Sequence, residues 1–335
     1  MLKQTILNSS IIIYILLLTS CVDKVNPYSK QENFEVLWET LDSRYCFFSY
    51  KNIDWREVKE RYRSGLDTCY TKEQLFYLFG NMLSELKDGH VNLYSSFDVA
   101  RYWSWFEDYP ENYYDDITKK YLGKNYSISG GLRYTTLRDS VGYVRYSSFS
   151  SGVSHSGLNA IFSRFENSPG IIIDVRHNGG GSLSYAELLA SRFFSEPMRV
   201  GYMQHKTGKG HDDFSSPKEI SITPYIGNNW TKPVVVLCNR NSYSATNFFV
   251  MVMRQLPNVT VIGDRTGGGS GLPFSSELPI GWGVRFSASP ILNEKGEHTE
   301  FGIEPDIHVE FTDQDRIERN DPIIERGIEL LRVKS

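Results

Sequence analysis

The chain has 335 residues, of which 40% are hydrophobic and 23% charged, with a formal net charge of −4 at pH 7. This length and composition are typical of a globular protein with one sizeable core or two smaller ones. The charge balance excludes a basic patch, so we expect no nucleic-acid partner. The aromatic fraction of 14% would suit peptide or carbohydrate contacts, but core and surface tyrosines account for it more simply.

The first residues indicate the compartment. Lys3 is followed by an apolar run that ends at Cys21, in the sequence LTSC. The run is too short to predict a membrane span, and a small residue before a cysteine resembles a bacterial lipobox. We therefore predict a signal peptide over residues 1–20, lipid attachment at Cys21 and a polar tether over 21–32. The protein would then be lipid-anchored in the cell envelope, facing the periplasm or the cell exterior. An uncleaved anchor helix is the alternative.

Residues 33–94 are predicted to form an N-terminal helical domain, because apolar residues recur there at helical spacing. Asp54 is a candidate N-cap for the second helix, and Thr71 begins a capping box for the last one. Gly89 suits the C′ position of that last helix. His90 follows the helix directly.

Three further cysteines lie in the body of the chain. Cys46 and Cys69 flank a predicted helical hairpin, and a disulfide between them is left open, since disulfides are permitted outside the cytoplasm. Cys238 lies in an apolar run and is predicted to be a buried free thiol. No CxxC motif and no cluster of His and Cys indicates a metal site, so we predict none.

Residues 95–128 are aromatic and acidic without a clear period, and we interpret them as an irregular connector with one or two short elements. From residue 129 to residue 335, apolar runs alternate with helical patterns. This alternation predicts an α/β layered core with parallel strands, closed by a C-terminal helix.

Two serines at the start of a predicted helix are candidate nucleophiles. The stretch NRNSYSATNFF contains Ser242 and Ser244 and follows the apolar run PVVVLC. Backbone N–H groups at a helix N-terminus are unpaired and can stabilise an oxyanion. A serine there could attack a carbonyl while the next N–H, that of Ala245, donates to the developing charge. The alternative is that either serine is only an N-cap.

A glycine-rich turn follows another apolar run, in the sequence DVRHNGGG of residues 174–181. Glycines allow the backbone to approach a ligand closely, so this turn could supply a second oxyanion N–H. It is neither a Walker A loop nor a dinucleotide fingerprint, because the required spacings are absent. A tight turn with no chemical role is the alternative.

A base and an orienting acid can also be proposed from the residues. His90, in LKDGH, could act as a general base, or it could be a surface or capping histidine. Glu300, Glu304 and Asp306 lie in TEFGIEPDI, and a carboxylate is needed to orient a catalytic imidazole.

Taken together, LKDGH, GYVRYSSF, IIIDVRHNGGG, NRNSYSATNFF, IGDRTGGG and FGIEPDI occur in the order and spacing of one family. Over residues 33–312 the chain resembles the C-terminal-processing serine peptidases, family 41 of the serine peptidases, and more closely their tricorn-core branch. The resemblance implies a crotonase/ClpP-like α/β core of stacked ββα units, preceded by helices. It also implies that Ser244, rather than Ser242, is the nucleophile.

The resemblance also selects the base. The processing branch uses a lysine about 25 residues after the serine, and that position is Gly269, which cannot accept a proton. The tricorn branch uses a histidine that ends a helix, and His90 matches it. The branch's glutamate is best matched by Glu300. The chain departs from the branch at Gly89, where a serine is usual, and at Asn247, where an acid is usual.

The expected function is therefore that of a lipid-anchored serine endopeptidase acting on exported peptides or proteins. Ser244, His90 and Glu300 would be catalytic, and Ala245 with Gly179 and Gly180 would supply oxyanion N–H groups. No cofactor is expected, and the connector is too short to hold the family's peptide-binding PDZ domain. A non-catalytic peptide- or ligand-binding protein on the same fold is the alternative. An acyl-CoA enzyme on this core is disfavoured for an exported chain.

Overall fold

A computed structural model describes residues 29–107 and 109–333, so the predicted signal peptide, Cys21 and most of the tether lie outside the described residues. The helices are α1 (Lys30–Arg44), α2 (Phe48–Lys51), α3 (Trp55–Arg63), α4 (Lys72–Ser84), α5 (Asp115–Leu122), α6 (His155–Arg164), α7 (Leu183–Ala190), α8 (Ala245–Met253), α9 (Asp313–Glu318) and α10 (Pro322–Val333). The strands are β1 (Asn92–Tyr94), β2 (Val99–Arg101), β3 (Ser127–Ser129), β4 (Leu132–Thr136), β5 (Gly142–Tyr146), β6 (Ile171–Asp174), β7 (Met198–Met203), β8 (Lys218–Ile222), β9 (Val234–Cys238), β10 (Val259–Gly263), β11 (Gly271–Glu277), β12 (Gly283–Leu292) and β13 (Ile307–His308).

A seven-stranded sheet forms the centre of the core, in the order β13-β10-β9-β6-β5-β4-β3. Strands β5, β6, β9, β10 and β13 run parallel, and β4 and β3 add antiparallel strands at one edge. Along β9, Val234 and Val236 point into one hydrophobic core while Val235 and Leu237 point into another. Burial on both faces is what a continuous apolar strand requires. The predicted α/β core with parallel strands is confirmed.

A second, antiparallel sheet joins the two ends of the chain. Its order is β2-β1-β12-β7-β8, with β11 also pairing with β12. Helices α1–α4 share a core with Val284 and Phe286 of β12 and with Leu278 and Trp282 before it. The N-terminal helices and the C-terminal strands therefore bury one another, and β1 fixes the position of the residues just before it.

The helix starts follow the predicted capping chemistry. Asp54 accepts the amide N–H groups of the first turn of α3, and Thr71 forms a capping box with Gln74. The predicted end of the last helix was wrong: α4 ends at Ser84, so Gly89 is not its C′ residue. The chain turns earlier, with Lys87 in the left-handed region at φ 46°.

The predicted connector, residues 95–128, contains the short elements β2 and α5 and the start of β3. Cys46, Cys69 and Cys238 are buried free thiols. Within the described ranges, no helix is both long enough and apolar enough to span a membrane.

Candidate active site

Ser244 lies at a sharp turn between β9 and α8. Its backbone has φ 60° and ψ −118°, and its N–H donates to the Gly268 carbonyl at 2.8 Å. A positive φ at a non-glycine residue costs about 1–3 kcal/mol and persists where the surroundings impose it. Nucleophilic serines on strained strand-to-helix turns share this geometry, which exposes the hydroxyl at the apex of the turn.

Ser242 has a different environment. It is fully buried, and its Oγ donates to the Val175 carbonyl at 2.8 Å and accepts the Asn239 N–H at 3.0 Å. Both hydrogen-bonding functions of the hydroxyl are therefore used inside the turn. Ser242 ties the end of β9 to the end of β6.

His90 meets Ser244 across the junction of the two sheets. Its Nε2 lies 2.9 Å from Ser244 Oγ, and its ring packs on Tyr243 with centroids 5.0 Å apart. Its backbone N–H donates to Asp88 Oδ1 at 2.7 Å, which fixes the turn after α4. The predicted serine and histidine, which are 154 positions apart in the sequence, are thus in hydrogen-bond contact.

The His90 imidazole is uncharged at neutral pH. Burial lowers the pKa of His90 to about 4, with the positive charges of Arg285 and Lys51 acting in the same direction and the Asp88 carboxylate opposing them. The Gly271 backbone carbonyl also raises the pKa of His90, without completing a hydrogen bond to the ring. Among the described residues, Nδ1 has no hydrogen-bond partner.

Glu300 does not contact the imidazole, which corrects the prediction that it orients His90 directly. Its Oε1 lies 2.8 Å from Lys51 Nζ, and its Oε2 accepts the Ser270 N–H at 2.8 Å. Burial raises the pKa of Glu300 to about 7, against the lowering effect of Lys51. Each oxygen has one of these partners, and neither forms a hydrogen bond with His90 Nδ1.

Glu300 belongs instead to a buried group that we call the lysine cluster, formed by Lys51, Asp88 and Glu300. Lys51 Nζ lies 3.8 Å from Asp88 Oδ2, and both side chains are at most 4% exposed. Asp88 Oδ2 also accepts the hydroxyls of Tyr45 at 3.0 Å and Ser287 at 2.9 Å. Burial acts to raise the pKa of Asp88, but Lys51, His90 and these donors lower it below the usual range. Asp88 therefore remains an anion two residues before the histidine.

Sequence reasoning missed Lys51 and Asp88. Asp88 is part of the quoted LKDGH motif, and its position two residues before a candidate base was a usable signal. Lys51 lies on a four-residue helix far from every motif, and only the fold brings it to the site.

A second buried group supports the Ser244 side, and we call it the arginine cluster: Asp174, Arg176 and Asp321. Arg176 Nε and Nη2 donate to Asp174 at 3.0 and 2.7 Å, and Nη1 donates to Asp321 at 3.1 Å. Nη1 also donates to the Asn112 carbonyl at 3.3 Å. All three side chains are fully buried. The cluster braces the turn after β6, as expected for Asp174 and Arg176.

The three predicted oxyanion donors, Ala245, Gly179 and Gly180, have different environments. Ala245 begins α8, and among the described residues its N–H has no hydrogen-bond acceptor. Gly180 is a correction, because its N–H donates to Asn178 Oδ1 at 3.0 Å and is not free. Gly179 and Gly181 are both exposed, and Gly181 lines the cavity beside Ser244. No hydrogen bond within the described residues uses the N–H of Gly179 or Gly181.

Gly180 has a steric role in place of a donor role. It adopts φ +98°, and a Cβ there would lie 2.7 Å from the Tyr243 carbonyl oxygen and 2.8 Å from Ser244 Cβ. Any side chain would push the glycine turn away from the Ser244 turn. The glycine run therefore allows the two turns to pack directly against each other.

The departures at positions 89 and 269 have a steric cause. A Cβ at Gly269 would lie 2.3 Å from the Tyr243 ring, so this site cannot place a lysine there. A Cβ at Gly89 would lie 2.6 Å from Trp105 Nε1 and 2.9 Å from the Tyr243 hydroxyl. Trp105 stacks on Tyr243 with centroids 4.2 Å apart. These two aromatic rings occupy the space that side chains at 89 and 269 would need.

Asn247 supports the loop that carries Glu300. Its Nδ2 donates to the Thr299 carbonyl and hydroxyl, and its Oδ1 accepts the Thr266 hydroxyl at 2.6 Å. The amide therefore links the loop of Thr299, through its N–H donor, to the loop of Thr266, through its oxygen acceptor. An ionised carboxylate has no donor and could not make both links.

Comparisons with known proteins show similarity in both sequence and overall structure. The sequence model of peptidase family S41 matches residues 140–309, and that of the tricorn protease C1 domain matches residues 27–84. The crystal structure of a candidate peptidase from Parabacteroides merdae is 53% identical and has a TM-score of 0.87, covering 90% of this chain and 96% of that one.

Curated relatives are more distant. The carboxy-terminal processing protease CtpA of Bacillus subtilis is 27% identical over 184 residues, which are 54% of this chain and 37% of that protein. The tricorn protease of Thermoplasma acidophilum is 26% identical over 181 residues, which are 52% of this chain and 15% of that protein. The chain thus spans well under half the length of these two relatives.

Proposed function

The chain belongs to peptidase family S41, a placement among the serine-type peptidases, and from this premise we propose that it is an endopeptidase with Ser244 as nucleophile and His90 as general base. The observation that carries the proposal is the 2.9 Å contact between Ser244 Oγ and His90 Nε2. This distance is within the reach that proton transfer requires.

The proposed reaction begins with a neutral imidazole. Since the pKa of His90 is lowered to about 4, the ring is neutral at pH 7, and in the tautomer that carries its proton on Nδ1 the Nε2 lone pair accepts the Ser244 proton. Ser244 Oγ attacks the peptide carbonyl carbon while its proton moves to Nε2. The carbonyl oxygen becomes an oxyanion that accepts the Ala245 N–H and a second N–H from Gly179 or Gly181. His90 then gives its proton to the leaving amine, and a water molecule hydrolyses the acyl-enzyme by the same route.

The imidazolium formed in this step needs negative charge behind it. Asp88 supplies that charge and fixes the His90 backbone. The Gly271 carbonyl is the group that could accept from Nδ1–H after a small closure of the site. Glu300 stays in the proposed site as the acid that holds Lys51 in place rather than as the partner of the imidazole.

A fluorophosphonate probe tests the nucleophile and the base. We expect the wild-type protein to be labelled, and Ser244→Ala and His90→Ala each to abolish labelling without loss of the fold, measured by circular dichroism. Ser242→Ala is the matched control, because it removes a hydroxyl from the same turn and should leave labelling in place. Labelling of the Ser244→Ala protein would refute the assignment.

Digestion of casein or a peptide library separates the enzyme from a binding protein on the same fold. We expect specific cleavage that is absent from Ser244→Ala. Saturable peptide binding without turnover by the wild-type protein would instead support the binding protein.

We also propose that the protein is lipid-anchored through Cys21 and acts on exported peptides or proteins. Support comes from the apolar run and the LTSC sequence at its end. Metabolic labelling with an alkyne fatty acid should tag the wild-type protein in its native host and not Cys21→Ser. Equal tagging of both would contradict the anchor.

A further inference from the structure

A cavity with a single charge adjoins Ser244. It contains about 460 Å³ of empty space, counting its open mouth, and Ser244, Ala245 and Gly181 form part of its wall. Half of the remaining lining residues are apolar side chains, and the uncharged polar ones are Asn247, Ser270 and Thr299; the apolar ones are Leu183, Phe248, Met251, Leu272, Pro273 and Ile291. Among the described residues that line it, Arg285 alone is charged.

Strand β12 places Arg285 on the catalytic side of its sheet. Its neighbours Val284 and Phe286 are buried in the core shared with the N-terminal helices. Because side chains alternate along a strand, Arg285 lies on the opposite face, together with Ser287. The Ser287 hydroxyl donates to Asp88, so this face is the one behind His90.

Arg285 has no counter-ion in the described part of the chain. No Asp or Glu oxygen lies within 4.0 Å of its guanidinium, and no side-chain hydrogen bond of Arg285 is formed, although the residue is half-buried. The two buried acids of the site, Asp88 and Glu300, are both engaged by Lys51. The charge of Arg285 nevertheless reaches the catalytic pair, since it lowers the pKa of His90.

A partly buried guanidinium without a protein partner is left to water or to a ligand, and a ligand that replaces the water must satisfy its donors. Arginine presents a planar fork of donors that matches a carboxylate in a bidentate pair. The shielding of such a pair by apolar walls strengthens the attraction relative to water. No residue that the structure describes supplies this partner, and a ligand in the cavity is best placed to do so.

We propose that Arg285 is a specificity-determining residue that binds a carboxylate of the substrate in this cavity. The inference rests on the proposed peptidase function. Because the wall includes the nucleophile and the candidate oxyanion donors, the carboxylate belongs close to the attacked carbonyl. It is either the side chain of an acidic residue that supplies that carbonyl or the C-terminal carboxylate of a substrate cut near its end.

Two probe series separate these sources. The first compares peptidyl diphenyl phosphonates whose reactive residue carries the side chain of Glu, Gln or Leu, and it measures the rate of Ser244 modification. The second measures how well peptides slow fluorophosphonate labelling, and it compares a free with an amidated C-terminus in peptides that contain Gln wherever they would contain Glu. Each series is run on the wild type, Arg285→Gln and Arg285→Lys. Arg199→Gln, in an exposed pair with Glu219, is the control.

We expect the carboxylate member of at least one series to exceed its amide isostere by about tenfold or more in the wild type, as for a hydrogen bond to a charged group. The ratio should fall to about one in Arg285→Gln, recover only partly in Arg285→Lys and stay unchanged in Arg199→Gln. A ratio is used because the loss of the Arg285 charge also acts on His90, which changes both rates equally.

The outcomes distinguish the two levels of the proposal. A wild-type ratio near one in both series, or a ratio that Arg285→Gln leaves unchanged, overturns the role of Arg285 while leaving the peptidase in place. If simple alkyl fluorophosphonates do not label the wild-type protein, the proposed peptidase function is refuted, and the role of Arg285 is refuted with it.

Discussion

The lysine cluster and the arginine cluster support the two halves of the Ser244–His90 pair, and they are built differently. In the arginine cluster, every guanidinium nitrogen donates a hydrogen bond: Nε and Nη2 donate to Asp174 in the same turn, and Nη1 donates to Asp321 and to the Asn112 carbonyl. In the lysine cluster, one ammonium is shared between two carboxylates and two backbone carbonyls, across helix α2, the His90 turn and the loop of Glu300.

This difference has a chemical consequence. A planar guanidinium paired at fixed angles fixes geometry, whereas an ammonium acts as a point charge that tolerates rearrangement. The lysine cluster also contains an acid whose pKa lies at about 7, and it adjoins a histidine whose pKa lies at about 4. We therefore expect the Ser244 half to determine the stability of the fold and the His90 half to determine its pH response.

The largest expected effect is the loss of the arginine cluster. Arg176→Met should lower the free energy of unfolding by about 3–5 kcal/mol, because it leaves two buried carboxylates without their counter-charge. Denaturant unfolding measures this change. Arg199→Met is the control and should give no measurable change, since its ion pair is exposed. An equal response of the two variants would contradict the structural role of the cluster.

The same substitution in the lysine cluster should cost less. Lys51→Met also leaves two buried acids, but Glu300 can relieve the strain by binding a proton, so we expect a loss of about 2–3 kcal/mol at pH 7. Loss of Lys51 raises the pKa of Glu300 above about 7, so the folded variant retains a proton that the unfolded chain releases. The free energy of unfolding of the variant therefore continues to decrease as the pH rises above about 7. In the wild type, Glu300 is already ionised above about pH 7, so it causes no further decrease there.

Unfolding curves for the wild type and Lys51→Met at pH 6, 7, 8 and 9 measure this divergence. The gap between the two should widen from pH 7 upward. A gap that is constant over the series would show that Glu300 does not take up the proton. Fluorophosphonate labelling of Lys51→Met should also be slowed, because Asp88 loses the charge that holds it beside His90.

The half of the site that could be predicted from the sequence is the half built from local turns. Ser244, Ala245 and the glycine run lie at ends of parallel strands, where short motifs determine the backbone directly. His90 could be placed only through the resemblance, because its contact with Ser244 depends on the pairing of β1 with β12. No local pattern indicates that pairing.

The lysine cluster could not be predicted for the same physical reason. Its members come from residues 51, 88 and 300 and meet only when the N-terminal helices pack on the second sheet. The resemblance singled out Glu300, which lies in the lysine cluster, but it did not identify Lys51 as its partner, because the offset along a loop does not determine which way a carboxylate points. Gly89 and Gly269 appeared to be lost functional positions, whereas the structure fills their space with Trp105 and Tyr243.

The pH dependence of labelling tests the His90 half directly. A base must be neutral to act, so the rate should be constant from about pH 5 to pH 8 and fall about tenfold per unit below the pKa of His90, which is about 4. Short fluorophosphonate pulses measure the rate, and circular dichroism at each pH verifies the fold. A midpoint near the ordinary histidine value of about 6.5 would show that burial does not control this group.

The smallest expected effect comes from a matched pair of tyrosines, one in each half. Tyr45 donates to Asp88 at 3.0 Å and Tyr143 donates to Asp174 at 2.8 Å, and both are fully buried. Each change to Phe removes one hydrogen bond to a buried carboxylate, so each should lower the free energy of unfolding by about 1 kcal/mol.

The two variants should differ in chemistry. Tyr45→Phe frees Asp88 to shift relative to His90 and should slow fluorophosphonate labelling by about twofold to fivefold, on the scale of one hydrogen bond that positions a catalytic group. Tyr143→Phe should leave the labelling rate at the wild-type value, because the guanidinium of Arg176 still holds Asp174 by two hydrogen bonds. Equal labelling rates in the two variants would mean that Asp88 does not position the base. A slower rate in Tyr143→Phe alone would reverse the assignment of the two halves, since the chemistry would then depend on the arginine cluster.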